Sequence, residues 1–229
     1  MNALMCGRYF LHSTAEKLTQ LFGEMPMPLL APRYNIAPTQ PVPVVRLDAN
    51  GRREMVLVRW GLVPGWSKGP DSRYSMINAR SESVAQKPAY RSAFRYRRCL
   101  VPADGFFEWR AGSEGKQPHV LRAADGQTLA LAGLWEHWTD DQGNELESCV
   151  ILVREANAQV RPVHDRMPVI IGRESFDTWL DRRIQKPQPV ETLLAAQQAP
   201  KLQIYPVSRA VNSPRNDSPE LIEPSEEND

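Results

Sequence analysis

Short apolar runs separated by glycine, proline, asparagine and aspartate dominate the chain, and most of them predict strands rather than helices. Gly7 to Leu11 reads as a first strand, followed by a capping box with Ser13 as N-cap and Glu16 three residues on, which predicts a helix to about Phe22. Met25 to Pro43 carries six prolines and reads as one long irregular loop. Val42–Leu47 and Arg53–Trp60 form a predicted hairpin turned through 48–51. A Gly/Pro-rich turn then presents Trp66, and Ser83 to Phe94 predicts a helix broken near Lys87-Pro88.

The second half repeats the pattern. Strands are predicted at Arg98–Pro102, Gly105–Trp109, His119–Arg122, Leu129–Trp135, Glu147–Val153, Val169–Ile171 and Gln203–Val207. Helical turns are predicted at Ala156–Val160, Glu174–Leu180 and Glu191–Gln198. Many short strands with hairpin turns and few helices imply an α+β fold: one domain of curved antiparallel sheets forming a pseudo-barrel, flanked by short helices. The 224–229 tail is acidic and poor in apolar residues, so disorder is expected there.

Composition changes this picture little. A chain of 229 residues with 41% hydrophobic and 24% charged content fits a soluble globular protein with a sizeable core. No apolar run approaches the roughly 18 residues of a membrane helix, and the first residues do not resemble a signal peptide, so a cytoplasmic protein is expected. Cys6, Cys99 and Cys149 are widely spaced and form no CxxC pair, which argues against a disulfide framework or a zinc site. Cys99 and Cys149 sit in apolar runs and read as buried strand residues.

Charge changes it more. The net charge of +1 conceals six acids and no Lys or Arg from Asp217 onward, leaving 28 basic against 21 acidic residues before it. Arg80 to Arg98 is the densest basic stretch, with Arg80, Lys87, Arg91, Arg95, Arg97 and Arg98 against Glu82 alone. A basic segment studded with aromatics suits a phosphate backbone, although a solvated surface face has the same composition. Trp66 on its Gly-Pro loop is either a packed side chain or a platform on which a base stacks.

Three further residues point to chemistry. Glu108 lies among aromatics, where desolvation raises a carboxyl group towards the range of a general acid or base; a salt-bridged strand glutamate is the plain alternative. His164, on a polar loop framed by prolines, is a stronger candidate than His12, His119 or His137. Cys6 is most simply a packed thiol. With residues 1–5 removed, however, it presents an α-amine and a thiol on adjacent carbons, and that pair condenses with an aldehyde to an imine and then a thiazolidine.

Met5-Cys6-Gly7-Arg8, Arg33-Tyr34-Asn35-Ile36-Ala37-Pro38, Trp60-Gly61-Leu62-Val63-Pro64, Ile77-Asn78-Ala79-Arg80, Pro102 to Trp109, His164-Asp165-Arg166-Met167-Pro168 and Pro206-Val207-Ser208 with Val211-Asn212 together resemble the SRAP (SOS response-associated peptidase) family. The resemblance runs from residue 5 to about 222. It implies a shield for abasic sites in single-stranded DNA near replication forks, acting as a monomer, with no membrane and associated with the bacterial nucleoid when on DNA. It implies a covalent thiazolidine link through Cys6, with Asn78, Glu108 and His164 as the other catalytic residues. Asn35, Trp66, Arg91 and Trp109 would bind DNA, Arg8 and Arg80 would hold phosphates, and no metal or cofactor is expected.

The chain departs from the family pattern at its start, where Met1-Asn2-Ala3-Leu4 precedes the usual Met-Cys-Gly-Arg. The expectation is that residues 1–5 are lost, by translation from Met5 with methionine removal or by self-cleavage, leaving a 6–223 domain. A self-crosslinking protein with autopeptidase and lyase activity follows. A cysteine peptidase acting on protein substrates and a non-covalent single-strand binding module are the alternatives.

Overall fold

The computed structural model describes residues 6–70, 76–113 and 115–225. The chain order is β1 (Arg8–Leu11), α1 (Ala15–Phe22), β2 (Arg33–Ile36), β3 (Pro41–Leu47), β4 (Arg53–Trp60), β5 (Asn78–Arg80), α2 (Arg91–Tyr96), β6 (Arg98–Ala103) and β7 (Gly105–Gly112). It continues through β8 (Gly115–Ala123), β9 (Leu129–Thr139), β10 (Glu145–Glu155), β11 (Arg166–Pro168), α3 (Phe176–Leu180), α4 (Pro187–Ala196) and β12 (Leu202–Pro206).

The strands make two sheets. One is antiparallel throughout, in the order β12-β8-β7-β1-β2. In the other, β10, β4, β3, β6 and β9 follow one another, and β9 pairs back onto β10 to close a five-stranded barrel. The α+β barrel architecture is as expected, with one addition: β4 and β5 both run parallel to β10. The apolar run Cys149–Val153 is buried throughout because it is paired along both edges inside this barrel.

The chain passes from barrel to sheet at Asp104, between β6 and β7. Its carboxylate accepts from the backbone N–H groups of His12 and Ser13, each at 2.7 Å, and from Thr128 Oγ1 at 2.7 Å. Gly105 follows because a Cβ there would lie 2.4 Å from the Phe10 ring. This corner also corrects the helix start. Ser13 donates its hydroxyl to Asp104, and Thr14 is the N-cap of α1, accepting from Lys17 N.

Other local expectations change for similar reasons. The proline-rich loop contains β2, because Arg33 to Ile36 pairs with β1. The helix expected from Ser83 is confined to Arg91–Tyr96, after Pro88. Residues 158–163 form turns rather than a helix. Met167, not Ile170, lies in the strand that follows, with Ile170 making an isolated bridge to Leu131. Of the expected disordered tail, Pro224 bridges Val207 and Ser225 N donates to Pro206 O, while 226–229 lie outside the described residues.

Strand alternation divides the five-stranded sheet into two faces. Tyr9, Leu11, Phe106 and Leu121 join the main core, whereas Phe10, Phe107 and Val120 form a second cluster with Val207, Val211, Leu221 and Ile222 from the C-terminal segment. That segment is tied down by Asn35, fully buried, whose amide donates to the carbonyls of Val211, Ser213 and Asn216 at 2.8–3.1 Å. Asp217 reinforces the tie by accepting from Tyr34 N, Asn35 N and Arg33 Nε. Replacing Asn35 by Ala strands buried carbonyls, so a loss of about 3 kcal/mol is expected in urea denaturation. An unchanged midpoint would show the segment is held by its apolar contacts alone.

Candidate active site

Cys6 sits where the sheet meets the barrel. It lies two residues before β1 and is buried, with φ at 38°, a left-handed backbone that costs a cysteine about 1–2 kcal/mol. Its backbone N–H donates to Glu108 Oε1 on β7 at 2.8 Å. Its carbonyl accepts from Asn78 Nδ2 on β5 at 3.4 Å. One group from the sheet and one from the barrel therefore converge on one residue at the beginning of the described chain.

Glu108 faces this point because alternation sets it on the Phe106 face, opposite to Phe107 and Trp109. It is 1% exposed. Burial raises its carboxyl to about 8, and the negative charge of Asp165 adds to the rise; the Cys6 N–H and Lys116 pull the other way. A carboxyl group with that proton affinity exchanges protons readily near neutrality. The Cys6 thiol is pushed well above the ordinary thiol value, by burial and then by Glu108.

His164 lies on the connection between β10 and β11, held by its N–H to Val160 O at 3.0 Å and by Ala156 N to Asp165 O at 2.9 Å. Its Nδ1 accepts from Arg166 N at 3.0 Å and lies 3.1 Å from Asp165 Oδ1. Sequence reasoning passed over His119. It stands directly opposite Glu108 across the β7–β8 hairpin, so both side chains share a face. The register of that hairpin was the missing signal.

The expected DNA-binding residues separate into two groups. Asn78 and Arg80 project from the same side of β5, with Ala79 turned into the core between them. Arg80 and Arg91 are exposed, as are Lys87 and Arg95. Trp66 is 72% exposed, on a loop pinned by Trp138 Nε1 donating to Ser67 O. These are available to a polyanion.

The others are engaged elsewhere. Arg8 points to the Phe10 face and donates to Asn35 Oδ1, Val211 O and Asn212 O. Trp109 donates its indole N–H to Asn212 Oδ1 at 2.7 Å. Asn35 is beneath the surface and touches no solvent. All three hold the C-terminal segment against the sheet, a role invisible without knowing which face each residue takes. Arg98, within the basic stretch, is likewise buried, donating to the carbonyls of Phe94, Arg95, Trp179 and Asp181. Among the described residues no group of His, Cys, Asp or Glu is arranged to hold a metal, and no helix is long and apolar enough to cross a membrane.

Fold and site define a mixed α+β protein in which a buried cysteine precedes the first strand of a sheet packed on a closed barrel. The model of the family described as SOS response associated peptidase (SRAP) matches residues 5–214, and the chain belongs to that family. It is 38% identical over 223 residues to the abasic site processing protein YoqW of Bacillus subtilis, covering 96% of this chain and 99% of that one. It is 31% identical to the abasic site processing protein YedK of Escherichia coli, covering 96% and 100%. The fold is shared with a crystal structure of a protein from Bacteroides thetaiotaomicron, at a TM-score of 0.82 and 24% identity over 96% of this chain and 100% of that chain.

Proposed function

We propose that the protein captures abasic sites in single-stranded DNA by forming a thiazolidine between the ring-opened sugar aldehyde and the amine and thiol of Cys6. The observation that carries this reading is the 2.8 Å contact between the Cys6 nitrogen and a carboxyl group whose proton affinity is tuned to about 8. The names of the relatives support its coarser part, the processing of abasic sites.

Once residues 1–5 are gone, the Cys6 nitrogen is an α-amine and attacks the aldehyde carbon to give a carbinolamine. Glu108 donates a proton to the departing hydroxyl, water leaves as an iminium forms, and the nitrogen returns its proton to Glu108, 2.8 Å away, to leave the imine. The thiol adds across the C=N bond, its proton passing to the nitrogen, and the ring closes. One water is lost overall. Burial keeps the thiol protonated, so the amine acts first and the sulfur second. Asn78 orients the Cys6 backbone, and His164 assists opening of the sugar ring.

The left-handed φ of Cys6 supports processing. That torsion is defined by the carbonyl carbon of residue 5, so cutting the 5–6 bond abolishes both the torsion and its strain. Self-cleavage with Glu108 as proton donor, or translation from Met5, would each expose the amine. A cysteine peptidase acting in trans fits less well, because such enzymes lower the pKa of the thiol and this site raises it.

The reading is tested by incubating the protein with a single-stranded oligonucleotide carrying one abasic site, then running denaturing electrophoresis and mass spectrometry of the joined peptide. A DNA adduct at Cys6, one water lighter than the sum, is expected; an adduct elsewhere, or none, overturns it. The exposed cations on β5 and α2 supply affinity that ignores sequence. Arg80→Ala is expected to weaken non-covalent binding and reduce the salt slope by about 1; an unaltered slope would take Arg80 off the phosphate path.

A further inference from the structure

We infer that Trp138 is a positioning residue of the DNA-binding surface: it holds the loop after β4 so that the Trp66 indole stands as a preset stacking platform beside β5. This role rests on the proposed capture of single-stranded DNA and adds a residue to it.

The loop presents one side chain. Pro64 to Ser67 is a β-turn, closed by Ser67 N and Ser67 Oγ donating to Pro64 O at 2.9 and 2.8 Å. Gly65 and Trp66 occupy its tip. Gly65 lies against β9, where a Cβ would come within 3.0 Å of His137 O. Trp66 is left 72% exposed. A ring of that size is ordinarily covered, and the face of a nucleobase is a surface that covers it whatever the sequence. The loop also flanks the strand that carries Asn78 and Arg80. Leu62 N donates to Met76 O at 3.0 Å, just ahead of β5.

Trp138 grips this loop from the barrel side. Its indole N–H donates to Ser67 O at 2.9 Å. Gly69 passes over the same ring: a Cβ there would lie 3.2 Å from Trp138 Cζ2, and φ is +123°, so glycine is required on both counts. The two contacts fall on either side of Lys68 and begin at the residue next to Trp66. Trp138 itself pairs with Leu146 of β10 in the barrel wall, which ties the loop to a rigid frame. The entropy of ordering Trp66 is thereby lost on folding and not again when DNA binds.

The test measures binding of a lesion-free single-stranded oligonucleotide by fluorescence anisotropy, with circular dichroism to verify folding. Wild type, Trp66→Ala, Trp138→Phe and the double variant are compared. Trp138→Phe keeps a ring beneath Gly69 and loses the N–H; Gly69→Ala disturbs the same contact from the loop without altering the barrel. Trp66→Ala is expected to bind about tenfold more weakly. Trp138→Phe and Gly69→Ala are each expected to lose roughly three- to tenfold. The double variant should bind no more weakly than Trp66→Ala, since an anchor has no effect once its platform is gone. At saturating abasic oligonucleotide, Trp138→Phe should crosslink at the wild-type rate, because it acts through Trp66 and not on Cys6. Losses that add in full in the double variant, wild-type binding by Trp138→Phe and Gly69→Ala, or wild-type binding by Trp66→Ala would each overturn the inference. A protein that obeys this cycle yet forms no crosslink would sink the thiazolidine reading and leave Trp138 in its role. Failure to bind single strands at all would sink both.

Discussion

Cys6→Ala, with its α-amine exposed, is expected to form no crosslink that survives denaturation, and protein retaining residues 1–5 is expected to behave the same way. The two failures have different chemical causes. An amide nitrogen has no available lone pair, so the extended form cannot begin the reaction. The alanine variant still has an amine and still forms an imine, which water reverses because no sulfur closes the ring. Borohydride separates the cases. It should trap the Cys6→Ala imine as a stable amine, and should trap nothing on the extended protein. Intact mass establishes the N-terminus of each preparation beforehand. Stable capture by a protein whose Cys6 nitrogen is acylated would remove that nitrogen from the chemistry.

Glu108→Gln is expected to slow crosslink formation by roughly 10²–10⁴-fold, the usual share of a positioned acid or base. Its amide oxygen still accepts from the Cys6 nitrogen, so the shape of the site is kept while the proton is lost. Reversal should slow as well, since ring opening runs back through the same proton transfers. A rate within a few-fold of wild type in both directions would exclude Glu108 from the mechanism.

The same substitution makes a stability prediction of opposite sign. The folded carboxyl holds its proton to about 8, whereas in the unfolded chain a glutamate loses it near 4.3. The folded state therefore binds the extra proton between these values, and stability falls as pH rises from about 4 to about 8. Glu108→Gln removes that slope. With the Cys6 nitrogen still an amide, the variant is expected to be more stable than wild type at pH 9, by on the order of 5 kcal/mol. At pH 4 the two should match. Urea denaturation at both pH values measures it, and parallel curves would mean that Glu108 is not desolvated as its burial indicates.

Two of the candidate residues were legible in the sequence because their company is chemically odd. Glu108 stands among aromatics and His164 between prolines, and the structure brings Glu108 onto the Cys6 nitrogen and Asn78 onto its carbonyl. Arg8, Asn35 and Trp109 were less legible. Each looks like a ligand-binding residue in isolation, yet each supports the C-terminal segment. The distinction depends on facing. Glu108 and Trp109 are neighbours in sequence and lie on opposite sides of a sheet whose two faces are both covered. Hydrophobic alternation gives no warning when both faces are buried, and Phe106-Phe107 reads the same either way.

Local patterns alone determined the strand-rich α+β architecture, the hairpins, the basic character of 80–98 and the unusual settings of Cys6, Glu108 and His164, because turn chemistry and desolvation act over a few residues. Tertiary structure alone decided that the barrel closes through β9 and β10, that β10 pairs in parallel with strands far away in sequence, that His119 faces Glu108, and that residues 207–225 cover the sheet. Those outcomes depend on which distant surfaces exclude water together, and no short stretch of sequence contains that information.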